Sequence, residues 1–100
     1  MDINELRNRL RAIELELNAF EHRPFADVRA KARMLFNMRN ASQALQREAL
    51  ASSETNMNDM AAASGLCRRI LRHAAQLSRS EASDGSQPLS VSEFLLRAQA

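Results

Sequence analysis

Tryptophan and tyrosine are missing from this 100-residue chain, cysteine occurs once, and glycine and proline occur twice each. Each shortage removes a class of structure. A single cysteine, Cys67, leaves no partner for an intramolecular disulfide and no thiolate cluster for a metal. Two glycines and two prolines leave few sites for tight hairpin turns, and Val, Ile and Thr together number six. That is too little strand-forming material for a sheet. Long apolar runs are missing too: the longest, Met60–Ala63, falls far short of the roughly 20 residues that cross a bilayer. Residues 2–20 are charged throughout, so no apolar core of a signal peptide lies there. The expectation is a soluble cytoplasmic protein without cofactor or metal.

What is present is a helix-forming vocabulary of Ala, Leu, Arg, Glu, Gln and Met. The fold class expected is all-α: a compact antiparallel bundle of three to five helices with a short docked C-terminal helix. Residues 1–78 read as the bundle, 79–88 as a Ser-rich linker and 89–100 as the short terminal helix. Basic charge is carried by thirteen Arg and one Lys. Arg suits bidentate contacts to phosphate or carboxylate, although with this much Ala a GC-rich coding bias is the simpler cause.

Asp2-Ile3-Asn4-Glu5 has the form of a capping box, with an acceptor at N-cap and a carboxylate at N3. From it Ile3, Leu6, Leu10, Ile13, Leu17 and Phe20 recur at steps of three and four, an a/d seam over almost three heptads. The seam serves a helix packing on its own domain or, alternatively, a coiled-coil homodimer through Ile3, Leu6, Leu10, Ile13 and Leu17. Leu15 falls on the opposite face. Glu5 and Arg9 are four apart with the acid first, the favourable order for a surface pair.

The stretch Arg23–Ala51 is the longest with helical apolar spacing. Pro24 suits an opening turn, and Asp27 adds negative charge near the helix start. As one helix it would run about 42 Å at 1.5 Å per residue, longer than the roughly 34 Å diameter of a compact 100-residue domain. Asn40-Ala41-Ser42-Gln43 looks like a second N-cap with Gln at N3, so a break near Asn37–Ser42 is expected. Ser52–Thr55 interrupts the pattern, and Asn56–Asp59 repeats the cap-plus-carboxylate signal. Met60, Ala63, Cys67, Ile70, Ala74 and Leu77 form the next seam, which makes Cys67 a buried, inert thiol. Gly65 either weakens that helix or marks a turn in it. Ser90-Val91-Ser92-Glu93 is another capping box, with Leu89 and Phe94 at staple spacing. Leu89, Phe94 and Leu95 form an apolar knob that must dock on its own bundle or on a partner, because so short a helix is unstable alone.

Charge comes in blocks: net −2 over residues 1–21, +5 over 22–47, −3 over 48–64, +4 over 65–79 and −2 over 80–100. An antiparallel hairpin turning near Ser52–Thr55 would bring Arg29, Lys31, Arg33 and Arg39 beside Arg68, Arg69, Arg72 and Arg79. One end of the molecule would then be a basic pole, partly neutralised if Glu14, Glu16 and Glu21 fold against it.

Catalytic constellations are not evident. Glu14 and Glu16 lie two apart, about 200° round a helix, and Cys67 and His73 six apart, about 240°. Neither pair can work as a unit. No Ser has a His or acid at an activating spacing, and His22 and His73 read as a turn residue and a helix-surface residue. No enzyme is expected.

One segment carries a local likeness. Met60 and Ala61 follow the Asn56 cap, Gly65 comes four residues after Ala61, then Leu66, and Leu71 five further on. This arrangement resembles the helix-turn-helix of bacterial transcription regulators. The resemblance implies a turn at Gly65 and a recognition helix around 67–77, with Arg68, Arg69 and Arg72 toward the major groove or its phosphates. Ile70 would then be apolar on the DNA-facing side, and Cys67 stands where a small hydroxyl residue is usual. The unbroken seam from Met60 to Leu77 supports the other reading, one continuous helix.

The leading expectation is a small non-enzymatic helical module that binds another protein or protein complex with an acidic or nucleic-acid-binding surface. Its contacts would be the basic pole, the C-terminal knob, or both, in the role of an adaptor, a secretion-type chaperone or an inhibitor of a host machine. DNA binding through the helix-turn-helix is the alternative.

Overall fold

The computed structural model describes residues 2–22, 27–81 and 90–97. Among them four helices and no strand occur: α1 (Ile3–His22), α2 (Val28–Ala51), α3 (Met57–Glu81) and α4 (Val91–Arg97). The fold is an all-α bundle with a short C-terminal helix.

Three of the helix starts follow from local chemistry. Asp2 accepts the Glu5 N–H at 2.9 Å, and Ser90 Oγ accepts that of Glu93 at 3.2 Å. Asn56 and Asp59 cap each other reciprocally: the Asp59 N–H reaches Asn56 Oδ1 at 2.9 Å and the Asn56 N–H reaches Asp59 Oδ2 at 3.1 Å. α2 begins later than its apolar spacing indicates, because Asp27 is itself the N-cap and accepts the Arg29 N–H at 3.0 Å. Pro24 and Phe25 lie outside the described residues. The α2–α3 turn is closed by Thr55, whose hydroxyl donates to the carbonyls of Ala49 (2.7 Å) and Ser52 (3.0 Å). These are carbonyls at the end of α2, where intrahelical donors run out.

The break expected near Asn37–Ser42 does not form. α2 is continuous, and the Ser42 hydroxyl donates back to the Arg39 carbonyl at 3.0 Å, satisfying itself inside the helix. Ser42 is fully buried against α3 and accepts from the Cys67 thiol at 3.3 Å, so burial overrides the cap-like local pattern. The length conflict is resolved by shape: the molecule is elongated, 48 × 24 × 23 Å. α3 is likewise unbroken through Gly65, so the turn that a helix-turn-helix requires is absent. It also continues to Glu81, three residues into the stretch assigned to the linker; the remainder, 82–88, lies outside the described residues.

α2 and α3 form an antiparallel hairpin with the most extensive contact in the fold, its register marked by Ser42–Cys67 and Gln46–Ser64. α1 lies parallel to α3, and the side-chain bonds joining them hold sequence offsets of 48 to 52 residues. α4 packs on α2 and α3 and not on α1.

Leu6, Leu10, Ile13 and Leu17 are buried in one core with Leu35, Met38, Ile70 and Leu95. Ile3 packs on its edge. The side chains named for a homodimer seam thus pack within the chain, and of the large apolar α1 residues Leu15 is left largely exposed. Of the two docking places open to the C-terminal knob, the bundle is the one occupied. Leu95 has no exposed surface and Phe94 packs against the core, so the knob docks on its own bundle, while Leu89 lies outside the described residues. Burying one Leu is worth roughly 1.5–3 kcal/mol, the attachment that lets a seven-residue helix persist. Among the described residues, no helix is long and apolar enough to cross a membrane.

Candidate functional site

Two polar clamps hold α1 to α3, and a groove opens between them. At the lower clamp, Arg7 donates to Asp59 twice, Nε to Oδ1 at 2.9 Å and Nη2 to Oδ2 at 3.1 Å. Asp59 is 8% exposed and already caps α3, so one carboxylate fixes both the start of the helix and the approach of α1. The Arg7 hydrogen bond chiefly holds its carboxyl below the ordinary value, with the Asn56 N–H and the Arg7 charge adding and burial opposing.

At the upper clamp Glu21 is divided between two donors. His73 Nε2 lies 2.6 Å from Oε2 and Arg69 Nη2 lies 2.6 Å from Oε1. Arg69 also donates to Asn18 Oδ1 at 3.0 Å, and Phe20 meets the His73 ring edge-on at 5.6 Å. Glu21 is held below its ordinary carboxyl value, first by the His73 hydrogen bond, with burial opposing and Arg69 contributing by hydrogen bond and charge. Arg7 and Glu21 are separated by about 21 Å of helix.

Between the clamps the side chains are too small to close the gap. The groove, about 600 Å³, is lined from α1 by Leu10 and Glu14 and from α3 by Ala61, Ala62, Gly65, Leu66, Arg68, Arg69 and Arg72. Leu10 and Leu66 are buried and form its floor, while Ala61 and Ala62 are exposed along its side. A Cβ built on Gly65 meets nothing within 4 Å. The glycine is therefore required neither by close helix packing nor by a left-handed backbone.

The predicted basic pole resolves into separate groups. The hairpin does bring Arg29–Arg39 level with Arg68–Arg79 along the long axis, as the Ser42–Cys67 register requires. The side chains nonetheless go to different surfaces. Arg68, Arg69 and Arg72 line the α1–α3 groove, in which α2 takes no part. Arg29 and Arg33 are exposed on α2. Lys31 lines a smaller depression with Phe20, His73 and Gln76. Arg39 is half-buried with its guanidinium 5.3 Å from the Phe36 ring centre, and its Nε is buried without a hydrogen-bond partner among the described residues.

Neutralisation is equally selective. Glu21 takes Arg69, and Glu14 stands in the groove itself, whereas neither Arg68 nor Arg72 has an ion-pair partner among the described residues. These two are exposed and four residues apart, a like-charge spacing that destabilises a helix by a few tenths of a kcal/mol.

A second depression, about 420 Å³, lies between α1 and α2, lined by Ala12, Ile13, Ala41, Ala44 and Leu45 with Arg9 and Glu48. One acid balances one base there, so it has no bias of charge. Cys67 is buried, with Ser42 and Gln46 as partners. Among the described residues no three of His, Cys, Asp and Glu come together as a metal site would need.

The long-range clamps escaped the reading of the sequence. Helical spacing puts His73 simply on the helix surface and gives Arg7 no partner; each joins a residue 52 positions away. No family model matches the chain, and no curated protein or solved structure matches it either.

Proposed function

We propose that the protein is a small non-enzymatic binding module that docks an acidic segment of another protein in the α1–α3 groove. The supporting observation is the pair Arg68 and Arg72, exposed and unpaired among the described residues, standing beside an apolar floor between two fixed clamps. An unpaired guanidinium pair attracts carboxylate or phosphate, and Arg is suited to bidentate contact with either. The apolar lining favours a protein, because the exposed Ala61 and Ala62 side chains gain nothing from a phosphate backbone. Glu14, in the same groove, repels a polyanion. The roles that fit are those of an adaptor, a chaperone or an inhibitor of a larger assembly.

The DNA-binding alternative loses its motif with the unbroken α3. A basic surface still binds duplex nonspecifically if enough phosphates are contacted, and that interaction weakens steeply with salt.

The test compares the wild type with Arg68→Glu/Arg72→Glu in pull-downs from the native host, with the fold checked by circular dichroism and Arg29→Glu/Arg33→Glu as the control. Loss of the bound protein in the groove variant alone is the expected result. Equal capture by all three overturns the proposal, as does a duplex mobility shift that Arg68→Glu/Arg72→Glu abolishes when no protein is captured.

A further inference from the structure

From the shape of the groove we infer the form of its occupant: an amphipathic α-helix of a partner protein, carrying two acidic residues one turn apart. The inference rests on the protein-binding reading above and specifies it further.

Backbone chemistry disfavours the extended alternative. Both walls are helices whose main-chain donors and acceptors are already paired within themselves, so neither offers an edge to a strand. An extended peptide over Leu10 and Leu66 would place its own N–H and C=O groups on an apolar floor without partners, at a cost of a few kcal/mol for each group desolvated. A helix arrives with those bonds already made and presents only side chains.

The dimensions agree. From Ala61 to Arg72 the α3 wall runs about 16 Å, some three turns of helix. Packed helices lie 8–10 Å apart according to the side chains between them, and the small residues Ala61, Ala62 and Gly65 set the near end of that range. Gly65 matters most here. Its missing side chain serves no contact within the chain, although an interior glycine costs a helix roughly 0.8–1 kcal/mol. A visiting helix is the element that would use the space.

Charge sets orientation and specificity. Arg68 and Arg72 repeat at one helical turn, and an acidic pair four apart on the visitor meets both. Glu14 on the opposite wall rejects an acid there and accepts a base. Arg69 is already held by Glu21 and Asn18, so it stiffens the wall.

The probe is a phage-displayed library of random 16-residue peptides, selected on the full chain and counter-selected on Arg68→Glu/Arg72→Glu. Enriched peptides are expected to carry apolar residues at helical spacing with two acids three or four apart, and to gain helical circular dichroism on binding. Their affinity is expected to fall at least tenfold on Arg68→Glu/Arg72→Glu. A similar fall is expected on Gly65→Leu, which fills the floor without altering charge and adds a better helix former. Arg-dependent peptides without helical spacing, or indifferent to Gly65→Leu, overturn the helical form and leave the protein-binding reading standing. Failure to enrich any Arg68/Arg72-dependent peptide overturns both.

Discussion

Replacing Gly65 by Ala should stabilise the protein, and the sign of the effect is diagnostic. Gly65 sits about two turns or more from either end of the 25-residue α3. There an alanine is worth roughly 0.8–1 kcal/mol over glycine through backbone entropy alone. Nothing offsets that gain, because the added Cβ meets no atom within 4 Å. For a domain of this size about 1 kcal/mol moves the melting temperature by roughly 4–8 °C. Thermal melts followed by far-UV circular dichroism, with urea titrations beside them, measure the shift directly. A lower melting temperature for Gly65→Ala would refute the reasoning. It would mean that residue 65 occupies a left-handed turn, where a Cβ is strained, and that α3 is two helices arranged as in a helix-turn-helix.

The carboxyls of Glu21 and Asp59 both lie below their ordinary values of 4.5 and 3.8 in the folded state. Their contribution is therefore fully present above those values and is lost as pH falls through the lower folded ones. The melting temperature should be level from neutrality to about pH 5 and fall below it, and Glu21→Gln/Asp59→Asn should flatten the acid limb; an unchanged limb contradicts the clamps. Leu17→Ala removes a side chain with no exposed surface and should cost about 2–5 kcal/mol. The wild-type melting temperature should not vary with protein concentration, because the seam closes within one chain. Leu95→Ala should release α4, seen as faster amide exchange confined to Val91–Arg97 while α1–α3 keep their protection; loss of protection throughout would show that α4 is integral to the core. Arg68→Glu/Arg72→Glu should leave stability within about 0.5 kcal/mol, as expected for exposed substitutions.

What could be read from the sequence was what local chemistry decides. The Asp2, Asn56 and Ser90 caps, the Glu5–Arg9 pair at 2.7 Å and the buried Cys67 all depend on neighbours within a few residues or on apolar period. Two local signals were overridden. Asn40–Gln43 has the form of a cap, yet Ser42 bonds its own helix and is buried on α3. Gly65 satisfies the rule for a turn as well as that for a tolerated interior glycine, and only the tertiary arrangement decides between them. The destination of each arginine was beyond local rules. Blocks of charge show where bases are concentrated along the chain; which face each occupies depends on helix phase. Arg39 turns to Phe36, Arg69 to Glu21, and Arg68 and Arg72 remain for the groove. Arg7 and Asp59, 52 residues apart, carry no mark of each other in sequence.

The most direct test of the groove is to place a photo-crosslinking residue at Ala62, which is exposed and lines it, and another at Arg33 on α2. With irradiation in the native host, Ala62 should yield a discrete protein adduct that disappears with Arg68→Glu/Arg72→Glu, and Arg33 should yield none. Adducts of equal yield at the two positions, or an Ala62 adduct untouched by charge reversal, would contradict the groove as the docking surface.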